Sequence, residues 1–98
     1  MEKIVLRFTY DCDIIAVPKY IATDIIKIRR QFDKWLYDKE NDHGYWVFVG
    51  GKKRAVSFNS YAFIEYLNKF HISDKKDKAF IVEEKITNVP TDIVILDF

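Results

Sequence analysis

Cysteine, glycine, proline and histidine are all scarce in this chain. Its 98 residues include one cysteine, three glycines, two prolines and two histidines. A lone Cys12 cannot close an internal disulfide, which sets aside the disulfide-stapled class of small secreted domains. One cysteine and two histidines, at no ligand spacing, give no zinc signature. There is no glycine-rich phosphate loop. Gly50-Gly51-Lys52-Lys53-Arg54 is like one only in composition. No apolar run approaches the roughly 18 residues of a membrane span. Met1-Glu2-Lys3-Ile4 leads straight into a strand pattern without an apolar signal segment, so a cytoplasmic protein is expected. Excess charge is lacking too. Sixteen Lys and Arg against fifteen Asp and Glu leave +1, whereas dedicated phosphate binders carry a clear positive excess.

What is present is core material. The chain is 49% hydrophobic and 16% aromatic, well outside the profile of a disordered segment. Apolar and charged residues alternate along the whole length, which predicts a single domain over residues 1–98. A domain of this size buries roughly 60–70% of its unfolded surface, enough for one core but not for a core plus a deep substrate cleft.

Local periodicity predicts the elements. Residues 3–10 alternate, with Ile4, Leu6, Phe8 and Tyr10 on one face and Val5, Arg7 and Thr9 on the other. Asp11-Cys12-Asp13 supplies turn chemistry, and Ile14–Val17 reads as the returning strand. Pro18 suits a first helical turn. From there Ile21, Ile25, Ile28, Phe32, Trp35 and Leu36 fall within an arc of about 100°, predicting a helix over 19–37. Lys19, Lys27, Arg30 and Lys34 lie opposite, and Ile26 and Tyr37 fall outside the apolar arc as candidate exposed contacts. Residues 38–44 read as a polar loop. Residues 45–49 and 52–58 form a hairpin about Gly50-Gly51. Asn59 or Ser60 caps a second helix whose buried stripe is Phe63, Leu67 and Phe70. Residues 71–78 read as a loop, 79–84 and 93–98 as the last strands, with Asn88-Val89-Pro90 as a break. The predicted order is ββαββαββ. The fold class is α+β, with an antiparallel sheet of about six strands and two helices packed on it.

No enzyme active site and no cofactor are expected. Cys12 sits between Asp11 and Asp13, opposite to the electropositive setting of reactive thiolates. His43 and His71 lie in polar loops, and only folding could gather them with Cys12. Two binding surfaces remain. Asp38, Glu40 and Asp42, followed by Tyr45 and Trp46, place carboxylates beside large amphipathic side chains, the makings of interface anchors. Asp11 and Asp13 form a second acidic patch. The alternative is a nucleic-acid-binding stripe of Lys27, Arg29, Arg30 and Lys34 with Lys52, Lys53 and Arg54. Against it stand the interrupting Asp24, Asp33 and Asp38 and the neutral total charge. A solvated helix face with local ion pairs is the favoured explanation of the basic residues.

The layout also resembles a known family. It has a lone starting strand, a long helix containing Phe32-Asp33-Lys34-Trp35-Leu36 and a Gly-Gly hairpin. Val56-Ser57-Phe58-Asn59 then leads to Phe63-Ile64-Glu65-Tyr66-Leu67-Asn68. This is similar to the small immunity proteins of bacterial contact-dependent growth inhibition systems. The resemblance concerns size, composition and element order. It implies a cytoplasmic protein whose partner is the toxic C-terminal domain of a cognate effector, often a nuclease acting on tRNA or DNA. Inhibition would come from covering the active site or blocking substrate or a cofactor protein. The family shares no universal motif, so no residue role carries over.

Overall fold

Two strands and a broken helix come first along the chain. A computed structural model describes residues 1–98. Strand β1 (Glu2–Arg7) turns back into β2 (Cys12–Val17). Helix α1 (Lys19–Thr23) and helix α2 (Ile25–Tyr37) follow, separated at Asp24. The expected single helix is therefore kinked. Asp24 leaves helical geometry at φ −104° and ψ 17°, and its N–H bonds the Ile21 carbonyl at 3.2 Å, while Thr23 Oγ1 donates to the Lys19 carbonyl at 2.9 Å. Strands β3 (Trp46–Val49) and β4 (Lys52–Val56) make the hairpin, and helix α3 (Ser60–Phe70) starts at an Asn59 cap whose side chain accepts from Tyr61 N–H. A short 3-10 turn over Lys75–Asp77 precedes β5 (Phe80–Glu83) and β6 (Val94–Asp97).

The α+β class stands, but the six strands do not form one antiparallel sheet. Four form a mixed sheet in the order β5-β2-β1-β6, and β3-β4 stand apart as a two-stranded hairpin. Strands β1 and β6 are parallel. The reason is connectivity. Strand β5 takes the free edge of β2 and β6 that of β1, while β3 and β4, joined by a tight turn between α2 and α3, pair only with each other. Alternation fixes which face a residue lies on, but it does not name the neighbouring strand.

Ile4, Leu6, Ile15, Val17 and Leu96 point from the sheet into one core with Ile21, Ile25, Ile28, Phe32 and Leu36 of the first two helices and Phe63 and Leu67 of α3. Val5, Ile14 and Ala16 are also buried, but outside that core. Strands β5 and β6 run parallel to each other on opposite edges, so residues 84–93 must cross the sheet. The helices fill one face, so the crossover covers the other. Its start is pinned by Ile86 N–H on the Cys12 carbonyl at 2.8 Å.

Three local expectations need correction. Tyr10 is not a core residue of β1. Phe8 N–H bonds the Asp11 carbonyl at 2.8 Å, closing a turn that ends the strand at Arg7 and leaves Tyr10 95% exposed. Asp13 belongs to β2 and not to the turn. Phe70 is exposed, and Tyr66 takes its place in the buried stripe of α3.

Candidate functional site

Helix α2 ends at Tyr37, where its last carbonyls need partners. The 38–46 loop supplies them. Asn41 Nδ2 donates to the Trp35 carbonyl at 2.9 Å, and His43 Nε2 donates to the Leu36 carbonyl at 2.7 Å. His43 Nδ1 accepts from Tyr45 N–H at 3.2 Å, so the two partners assign the Nε2–H tautomer. The imidazole stacks on Trp46 at 5.0 Å and 9°, and packs against Trp35 at 4.8 Å.

A second set of bonds ties the loop to the hairpin. Trp46 Nε1 donates to the Asn41 carbonyl at 2.7 Å. Lys53 Nζ reaches back from β4 to the Lys39 carbonyl (2.7 Å), the Asn41 carbonyl (3.1 Å) and Asp42 Oδ1 (2.5 Å). That contact with Lys53 holds the Asp42 carboxyl below the usual carboxylate range. Asp38 Oδ1 accepts from Glu40 N–H at 3.0 Å, an Asx turn. Tyr45 O–H donates to Glu65, and burial, followed by this bond, pushes the phenol up to about 12. The structure thus gathers Asp38, Glu40, Asp42, Tyr45 and Trp46 on one braced segment. The three carboxylates are exposed, whereas Tyr45 and Trp46 are half-buried and brace the loop.

From this base the hairpin extends with every residue from Val47 to Lys52 exposed. The Cα radius of gyration is 14.0 Å, against about 12.6 Å expected of a compact chain of this length. Gly50 and Gly51 have φ of 60° and 76°, the positive pair a tight hairpin turn requires. Neither outer edge of the hairpin is paired, yet the two edges differ. Strand β4 carries Lys52, Lys53 and Arg54, with a register shift that leaves Arg54 without a partner. Charge and bulges are the usual guards of a strand edge. Strand β3 is Trp-Val-Phe-Val, with Val47, Phe48 and Val49 all exposed and no charge to guard it.

The second acidic patch divides. Asp11 is exposed, whereas Asp13 is only 8% exposed and accepts from Ser60 O–H and from Lys85 N–H at 2.8 Å. Asp13 ties β2 to α3 and to the crossover, so its oxygens are not free for a partner. Both residues line an open groove of about 440 Å³ at the end of the sheet. Its floor is Phe8 stacked on Phe98 at 4.9 Å, with Phe58 edge-on to both.

The basic candidates divide as well. Lys27, Arg30, Lys34 and Lys52 are exposed and form no ion pair. Arg29 pairs with Asp33 and lies over Phe98 at 4.1 Å. Lys53 is engaged by the loop, so it is not available to phosphate. The fold gathers no group of three or more His, Cys, Asp or Glu side chains placed to hold a metal ion. Cys12 is in β2, His43 packs under the hairpin, and His71 follows α3, where burial pushes its imidazole down. No helix is long and apolar enough to cross a membrane.

Sequence reasoning missed Asn41, His43 and Lys53 as the lock on the loop, and it missed the phenylalanine floor. The first two carried a signal, since a helix that ends in a polar stretch must satisfy its last carbonyls from that stretch. Comparison with protein-family models, curated proteins and solved structures finds no match.

Proposed function

We propose that the chain is an immunity protein that binds and neutralises a cognate toxin domain, with a nuclease the expected class. The supporting observation is the unguarded, uncharged strand β3, held out from the body on a braced acidic base. An exposed strand edge with apolar side chains offers main-chain pairing plus side-chain pockets to a partner protein. Asp38 and Glu40 beside it favour a cationic partner surface, such as a site built to hold phosphates, and speed its approach. Inhibition by occlusion needs no chemistry from the inhibitor, and the partner is met in the cytoplasm. The test is co-expression with the toxin domain encoded beside it. Protection that is lost on changing Phe48 and on reversing Asp38 and Glu40 supports the role. A chain that neither binds nor protects fails it.

One observation favours a second reading. Lys27, Arg30 and Lys34 line the outer face of α2 without ion partners, as a backbone-tracking nucleic-acid surface would require. It predicts salt-sensitive binding to DNA or RNA that weakens on neutralising Arg30 and Lys34. No gel shift at low salt removes it.

A further inference from the structure

The groove at the end of the sheet has a charge imbalance that the fold leaves open. Its lining includes Asp11 and Asp13 and no lysine or arginine. Asp13 is nearly buried, and the groups bonded to it, the Ser60 hydroxyl and the Lys85 amide, are neutral. Both of its carboxyl oxygens are thus engaged by neutral groups. Neither Asp11 nor Asp13 forms an ion pair within the chain. The floor beneath them is aromatic, with Phe8 and Phe98 nearly parallel at 16° and Phe58 inclined at 69° to Phe8. Tyr10, almost fully exposed, stands on the rim with Asn59. The fold already lays one guanidinium on this cluster, since Arg29 Cζ sits 4.1 Å from the centroid of the Phe98 ring. That cation is paired with Asp33 and does not line the groove.

We infer that the groove between the β1–β2 turn and the start of α3 receives an arginine side chain of the partner protein. This rests on the chain acting as a protein-binding module. A guanidinium is planar and weakly hydrated, so it can lie on phenyl faces while its N–H groups bond a carboxylate. Asp11 is the free acceptor, Asp13 lies behind it without an ion partner, and the Tyr10 ring can close over the ligand. A lysine ammonium is compact and strongly hydrated, and uses only part of this arrangement. At about 440 Å³ the groove lies within the usual range for small-ligand sites.

The test needs no toxin. The isotope-labelled chain is titrated at low salt with N-acetyl-arginine methylamide, and amide shifts are followed by NMR. The uncharged citrulline analogue and the blocked lysine serve as comparisons. Saturable shifts are expected at Thr9, Tyr10, Asp11, Ser57 and Asn59, with a Kd on the order of 1 mM. Binding should weaken at least about 5-fold with citrulline and about 3-fold in Asp11→Asn. Tyr10→Ala, at an exposed position, should weaken it without disturbing the rest of the spectrum. Saturable binding at these residues supports the groove even where no toxin is neutralised. Absence of saturable shifts there, or equal binding of citrulline, overturns it even where a toxin is neutralised.

Discussion

Asn68→Ala is the sharpest test of how the sheet is fastened to the helices. The Asn68 amide spans the gap between α3 and the start of β5. Its Nδ2 donates to the Ala79 carbonyl at 3.0 Å, and its Oδ1 accepts from Ala79 N–H at 2.8 Å. One side chain thus satisfies both backbone groups of a residue that is 4% exposed. Truncation removes two bonds, each contributing about 1 kcal/mol net, and strands a buried N–H and C=O with little access to water. The expected loss is about 2–4 kcal/mol, a large share of the roughly 5–15 kcal/mol of a small domain. The matching fall in Tm is about 10–25 °C. Urea unfolding followed by circular dichroism reads it, as a lower midpoint at unchanged slope. Asn68→Asp gives an independent check. It keeps the acceptor for Ala79 N–H but sets a carboxylate against the Ala79 carbonyl, so it should recover stability at low pH, where the carboxyl can donate. A loss under about 0.5 kcal/mol in Asn68→Ala, typical of a solvent-facing residue, would refute the clamp.

Other perturbations follow from the same geometry. Asp13→Ala should cost about 2–4 kcal/mol, because Ser60 and the Lys85 amide lose a buried acceptor, whereas Asp11→Asn should leave the denaturation midpoint nearly unchanged. Tyr45 is raised to about 12, so the folded state keeps its proton where the unfolded chain loses it. Stability is then complete below pH 10 and falls as pH rises toward 12, and Tyr45→Phe should shrink that alkaline loss in a pH series of unfolding curves. His71 is depressed by burial, so stability should fall as pH drops below about 6.5, where the unfolded histidine takes up a proton. His71→Gln should reduce that fall. Phe48 is 59% exposed, which for a phenylalanine of ~200 Å² leaves roughly 120 Å² for a partner to cover. At ~25 cal/mol per Å² that is about 3 kcal/mol, so Phe48→Ser should weaken the complex ~100-fold while changing fold stability by less than about 0.5 kcal/mol.

Local pattern carried much of the fold, and non-local pairing set its limits. The 3.6-residue period placed Ile21, Ile25, Ile28, Phe32 and Leu36 in the core correctly, because burial of a helix face depends on residues close in sequence. The break at Asp24 turns on the backbone angles of one residue, which periodicity does not sense. Alternation gave the strands, but the parallel contact of β6 with β1 depends on a crossover whose course is set by which sheet edges are already filled. At the candidate site, the exposure of Asp38, Glu40 and Asp42 was legible from polarity. The roles of Lys53 and Asp13 were not. Lys53 folds back onto loop carbonyls, and Asp13 is drawn under α3 by Ser60. In each case a charged residue meets a partner distant in sequence, and composition alone assigns it to solvent.

The immunity role is tested most directly by titrating the purified chain with the purified toxin domain encoded beside it, following association at low and physiological salt. The expected result is a 1:1 complex whose affinity falls ~100-fold in Phe48→Ser, with slower association at low salt when Asp38 and Glu40 are reversed to lysine. No complex at either salt would contradict the role. A complex indifferent to Phe48, Asp38 and Glu40 would contradict the placement of its binding surface on the braced hairpin.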